Sequence, residues 1–173
     1  MTALLLPREL LDQARSFFEE RGSYGLEGTA MIAGPDHPRL VIPDQHAVRT
    51  RLGGVSVELT PKGQFELATA LASDERFVAR IHSHPADAFH SDTDNRNPVI
   101  TFEGALSIVV PFFGLGLHHG LDACAVYYRA RDGWQNLLPG AGRDRSLQVA
   151  LRAGDARVHG GLEMTAGTGA DRV

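Results

Sequence analysis

A single cysteine, Cys124, is all that 173 residues offer. An internal disulfide is therefore excluded, and any zinc site must be built from histidine and carboxylate side chains. Long hydrophobic runs are missing as well. The apolar start, residues 1–6, is too short to span a bilayer and has no basic residue ahead of it, so it reads as neither a membrane anchor nor a secretory leader. A cytoplasmic protein with no membrane partner is the expectation. Excess positive charge is also lacking. Lys and Arg number 17 against 21 Asp and Glu, a formal net charge of -4, which argues against a nucleic-acid partner. What remains is ordinary for a globular chain: 43% apolar and 22% charged residues, at a length that supports one domain with a real core.

Turn and cap residues divide the chain. Pro7 suits the first turn of a helix in which Leu10, Leu11, Ala14, Phe17 and Phe18 recur on one face, with Gly22 as its stop. Strands are expected over 26–33, 40–42 and 55–59. Thr60-Pro61 caps a second helix, predicted to turn Phe65, Ala68, Leu71 and Ala72 inward. A strand over 77–83 leads into a polar loop over 85–102. The stretch 105–110 is the most strand-like of all and stops at Pro111. Residues 122–129 form another strand, paired with 135–138 across the Asp132-Gly133 turn. An α/β fold follows, a mixed β-sheet flanked by helices. The folded domain is expected over 1–139. Residues 140–173 read as a Gly-rich flexible tail, with one short element conceivable over 146–152.

The chemistry concentrates at His82 and His84. Residues two apart on a strand share a face and lie roughly 6–7 Å apart. Pro85 ends the strand there, so two imidazoles open toward a loop that supplies Ser91, Asp92 and Asp94. A carboxylate folding back from that loop completes three protein ligands, leaving the fourth tetrahedral position to water, as in catalytic zinc sites. The pair alone is more often a surface feature than a metal site. From the residues alone, either Asp92 or Asp94 could be that third ligand. Zn2+ is the expected cofactor.

His82-Ser83-His84-Pro85 followed by Ser91-Asp92-Thr93-Asp94 resembles the signature of the JAMM (MPN+) zinc metalloproteases of bacterial type, His-x-His-Pro and then Ser-x-x-Asp. The gap between His84 and Ser91 is six residues, one short of the commonest form; the resemblance implies Asp94 as the third ligand, since Ser91 and Asp94 keep the family's Ser-x-x-Asp spacing, with Asp92 the alternative. The strand ending at Pro111 is similar to the family's next strand. Glu27-Gly28-Thr29-Ala30-Met31-Ile32-Ala33-Gly34 resembles the family's upstream glutamate pattern. The resemblance covers residues 4–138. It implies the JAMM/MPN fold, related to that of cytidine deaminases, and hydrolysis of a peptide or isopeptide bond. The substrate would be a protein or peptide, with a ubiquitin-like protein, a sulfur-carrier conjugate and a shorter peptide all open. It further implies that Glu27, on the first strand, is the general base and that Ser91 stabilises the oxyanion.

The alternative is a non-catalytic MPN-type scaffold, which would typically lack one or more of these residues. A deaminase would need Pro-Cys-x-x-Cys, which one cysteine excludes, and the His-Glu-x-x-His signature is absent. Outside the motif, His90 reads as a solvated loop residue rather than a spare ligand or substrate contact. His118-His119 lacks a carboxylate or cysteine neighbour in sequence. Cys124 reads as a small buried hydrophobe.

Overall fold

The computed structural model describes residues 3–34, 36–49, 55–91, 94–95 and 100–150. In chain order the elements are β1 (Leu4–Leu6), α1 (Arg8–Gly22), β2 (Thr29–Gly34), β3 (Arg39–Val41), β4 (Gln45–Arg49), β5 (Val55–Leu59), α2 (Pro61–Thr69), β6 (Arg76–Ser83) and β7 (Leu106–Val110). A 3-10 segment (Phe112–Ala123), β8 (Ala125–Ala130), β9 (Gly133–Asn136), a helical turn (Ala141–Asp144) and β10 (Leu147–Val149) follow. Six strands form one mixed sheet in the order β3-β2-β6-β7-β8-β9. Only β6 and β7 run parallel in it, with Ala79 opposite Leu106 and Ser83 opposite Val110. A parallel pair needs a long crossover, and residues 84–105 provide it.

Period-2 alternation gives the sheet two different faces. Ala30, Ile32, Ala79, Ile81, Ile108, Val110 and Val126 join the main core with Leu10, Leu11, Ala14 and Phe18 of α1 and Leu117 and Leu121 of the 3-10 segment. On the other face Met31 packs in a smaller cluster with Leu67 of α2, Ile100 and Ala105, edged by Phe77 and Trp134. Arg80, His82, Ser107 and Tyr127 stand on this second face, because Met31 pairs with Arg80, Arg80 with Ser107 and Ser107 with Tyr127. The α/β architecture expected from the sequence is what the chain adopts.

Several local expectations shift. The first long strand begins at Thr29, so Glu27 precedes it rather than lying on it. Strands β1 and β4 were not foreseen. The segment expected as a loop after Pro111 is a kinked 3-10 helix, and the next strand starts at Ala125, with Cys124 just ahead of it. Thr60 caps α2 as expected, its Oγ1 accepting from Gly63 N at 3.0 Å. Yet α2 buries Gly63 and Leu67, leaves Phe65 69% exposed and Ala68 exposed, and ends at Thr69, ahead of Leu71 and Ala72. The reason is contact: Gly63 sits so close to the Asp44 backbone that a Cβ would overlap it, which fixes the face that turns inward. Past residue 139, β10 pairs in parallel with β1, Leu4 opposite Leu147, so folded structure runs on into the expected tail. Residues 151–173 of that tail lie outside the described residues.

Candidate metal centre

His82 is the penultimate residue of β6, and His84 follows the strand's end. Both are buried, with ring centroids 5.1 Å apart. The His84 backbone is held from both sides. Its N–H donates to Val110 O at 2.9 Å, and its carbonyl accepts from Phe113 N at 2.8 Å. Phe112 and Phe113 reach that position with φ of 54° and 51°, a conformation costing on the order of 1–3 kcal/mol per non-glycine residue and tolerated where surroundings enforce it.

The crossover brings Asp94 back over this pair. Ser91 Oγ accepts from Asp94 N at 3.2 Å while Ser91 N donates to Asp94 Oδ2 at 3.0 Å. This reciprocal arrangement is a capping box. The Ser91 hydroxyl also donates to Oδ2 at 2.6 Å. Ser-x-x-Asp spacing thus orients the carboxylate. Oδ1 then lies 3.2 Å from Arg80 Nη1 and 3.2 Å from His82 Nε2, and Oδ2 lies 3.5 Å from His84 Nε2.

Ligand-type atoms of His82, His84 and Asp94 all fall within 4.8 Å of one another. Both ring nitrogens of His82 are buried without a hydrogen bond. Its Nε2 therefore meets Asp94 Oδ1 at 3.2 Å without hydrogen-bonding it. Buried polar atoms seldom go unsatisfied, and ligation to a metal is one way such a nitrogen is used. The donor set of two imidazoles and one carboxylate fits a metal ion in the zinc class. Asp92 lies outside the described residues.

Electrostatics favour the same use. Burial, helped by the nearby Arg80 charge, holds the His82 imidazole down at about 3. Burial opposes ionisation of Asp94, but contacts with His82, His84 and Ser91 outweigh it and hold the carboxyl well below the usual range. Metal ligands must be neutral imidazole and ionised carboxylate, and His82 and Asp94 are held in those forms at neutral pH.

A stability consequence follows for the metal-free protein. Unfolded, His82 takes up a proton near 6.5, whereas folded it resists until about 3. Between those values the unfolded state binds more protons, so stability falls as pH falls. Asp94, with its depressed folded value, adds loss below its ordinary 3.8. Thermal melts of chelator-treated protein should show Tm dropping steadily from pH 6.5 downward. In His82→Asn the slope above pH 4 should flatten; an unchanged slope would count against this assignment.

Glu27 is set by backbone clamps. Arg21 Nε donates to Glu27 O at 2.6 Å. Gly28 N donates to Ser83 Oγ at 2.9 Å, and Ser83 N donates to Gly28 O at 2.9 Å. Ser83, between the two histidines, thus ties the Glu27 segment to the metal segment. Burial raises the Glu27 carboxyl above its ordinary 4.5 against the opposing pull of His84. Glu27, His82, His84, Ser91 and Asp94 line one cavity of about 360 Å³, together with Val57 of β5 and Phe89.

Sequence reading missed Arg80, which is in the same cavity and is fixed by Thr29 Oγ1 at 3.0 Å as well as by Asp94. Its signal was parity: Arg80 and His82 share a face of β6, with His84 two residues further on. His90, expected as a solvated loop residue, is instead bonded to Asn95 and Ser107. His118 meets Glu19 at 2.8 Å, a carboxylate far away in sequence. Cys124 is buried, and burial pushes its thiol up to about 12, so it stays protonated at neutral pH.

No family model matches the chain. The "Probable metalloprotease y4jG" of Sinorhizobium fredii is 31% identical over 151 residues, covering 83% of this chain and 92% of that protein. The solution structure of protein DSY2949 from Desulfitobacterium hafniense shares the fold at a TM-score of 0.53 and 12% identity, over 87% of this chain and 95% of that one. AF2198, a JAB1/MPN domain protein from Archaeoglobus fulgidus, superposes with a TM-score of 0.46 and 14% identity over 87% of this chain and 100% of that one. With its motif residues gathered around one cavity and a metalloprotease relative matched over most of its length, the chain belongs to the JAMM/MPN metalloprotease family.

Proposed function

We propose that this protein is a JAMM-type zinc metallopeptidase that hydrolyses a peptide or isopeptide bond, with a ubiquitin-like protein tail as the favoured substrate class. The observation that carries the reading is the convergence of His82, His84 and Asp94 within 4.8 Å in a cavity that Glu27 and Ser91 also line. His82, His84 and Asp94 would hold the metal. Bound there, zinc supplies Lewis-acid chemistry and makes hydroxide available near neutral pH. Glu27 accepts the proton of the attacking water and delivers it to the leaving amine. Its burial raises its proton affinity, which suits a group that must take up and return a proton. The Ser91 hydroxyl, which donates to Asp94 Oδ2 at 2.6 Å, turns to donate its one proton to the oxyanion of the tetrahedral intermediate, a contact worth about 3 kcal/mol in other hydrolases. Arg80 donates to Asp94 Oδ1 and holds the carboxylate in place. Among the described residues no helix is long and apolar enough to cross a membrane. We place the activity in the cytoplasm.

Zinc content of the purified protein and cleavage of ubiquitin-like fusions test this together. About one zinc per chain and release of the fusion partner are expected. Protein that is refractory to zinc loading would sink the metallopeptidase reading. A zinc-loaded protein that cleaves short peptides but no fusion would overturn the substrate class alone.

A further inference from the structure

His90 directly precedes Ser91, and every polar atom of its side chain is engaged. Nδ1 lies 2.9 Å from Asn95 Oδ1, and Nε2 lies 2.9 Å from Ser107 Oγ. An amide oxygen only accepts, so Nδ1 carries the proton and Nε2 accepts from the Ser107 hydroxyl. The His90 backbone N–H donates to the Tyr127 hydroxyl at 3.1 Å. The ring stacks on Tyr127 at 4.4 Å and meets Trp134 edge-on at 5.2 Å. Ser107, Tyr127 and Trp134 belong to β7, β8 and β9, and the first two are register partners. One imidazole therefore ties the crossover to three strands of the sheet. It also holds Asn95, the residue next to Asp94, and Asn95 N in turn donates to Ser91 O at 3.1 Å.

Beside this anchor, Arg80 Nη1 reaches Asp94 Oδ1 at 3.2 Å and Phe112 N donates to Ala86 O at 3.1 Å, but the described residues just ahead of His90 are mostly open to solvent. Pro85, Ala86, Asp87 and Phe89 are exposed. An exposed connecting segment gains entropy whenever it leaves its place. Without the anchor, ordering the Ser91-to-Asp94 turn becomes a cost charged to metal binding itself.

We propose that His90 is a positioning residue, a latch that holds the capping-box turn against β7, β8 and β9 so that the Asp94 carboxylate meets His82 and His84. This rests on the metal-centre reading, and the test separates the two. Zinc affinity of chelator-stripped protein is measured by competition with a chromogenic chelator, alongside melting of the same stripped samples. His90→Ala should weaken zinc binding by about 10- to 100-fold, the usual effect of losing a group that orients a ligand. His90→Gln, whose amide can both donate to Asn95 and accept from Ser107, should recover most of that loss. Asn95→Ala, which removes one bond of the latch, gives an intermediate value and serves if His90→Ala does not fold. A structural role alone would lower Tm and leave the dissociation constant in place. Wild-type affinity in the folded His90 or Asn95 alanine variant, with Asp94→Ala losing zinc, overturns the latch only. Wild-type affinity in Asp94→Ala overturns the metal centre beneath it.

Discussion

Asp94→Ala is expected to hold no metal, to have no measurable hydrolytic activity and to be less stable even before metal is considered. Two separate causes act. The carboxylate is the one anionic donor among the three ligand groups, and two imidazoles alone bind a divalent ion far more weakly. The second cause is Arg80. Its side chain is only 17% exposed, and Asp94 Oδ1 at 3.2 Å is its counter-charge. Guanidinium does not shed its proton in a protein, so the variant leaves a buried cation with Thr29 Oγ1 as its remaining hydrogen-bonding side chain among the described residues and only the Glu27 charge acting against it. Removing one member of a buried pair typically costs about 3–5 kcal/mol. His84→Ala removes a ligand without stranding Arg80. It should therefore lose metal with a smaller fall in Tm. Metal content by atomic spectroscopy and melting of chelator-stripped protein distinguish the two variants. An Asp94→Ala protein that melts with the wild type would mean that Arg80 is not balanced by Asp94.

The motif was legible because its chemistry is written in spacing. His82 and His84 fall two apart across the end of β6, just ahead of Pro85, and Ser91 and Asp94 fall three apart, the separation a capping box requires. The sheet strands were legible where apolar runs meet a breaker, as at Pro43 and Pro111. What escaped depends on contacts between distant segments. The inward face of α2 follows from Gly63 against Asp44, which no periodicity in α2 reveals. Strand β4 is polar, Gln45 to Arg49, and exists as the partner of β5. The 3-10 segment after Pro111 holds Phe112 and Phe113 at positive φ, which no local propensity favours. Strand β10 needs β1 beside it. Arg80 looked like an ordinary strand residue, and only the returning crossover gives its charge a partner.

Glu27→Gln is expected to bind zinc as the wild type does while turnover falls about 10²- to 10⁴-fold, with KM changed far less than kcat. The clamps that present this side chain belong to the backbone: Arg21 on the Glu27 carbonyl and Ser83 on both polar groups of Gly28. Glutamine leaves those clamps intact and keeps the shape of the side chain, so fold and metal site should survive. What it loses is the ability to take a proton. The stability effect has a definite sign. Burial raises the folded value of Glu27 above 4.5, so its ionised form at neutral pH is disfavoured by folding, and that penalty is present above the unfolded value. A neutral isostere removes the penalty, and Tm of the variant should hold or rise. A residue kept for packing would show the reverse, losing stability with little change in kcat. Lower kcat joined to equal or higher Tm is the pattern of a group retained for chemistry at some expense to the fold. Wild-type turnover in zinc-loaded Glu27→Gln would remove Glu27 from the base role and leave the attacking water to be deprotonated by some other group lining the cavity.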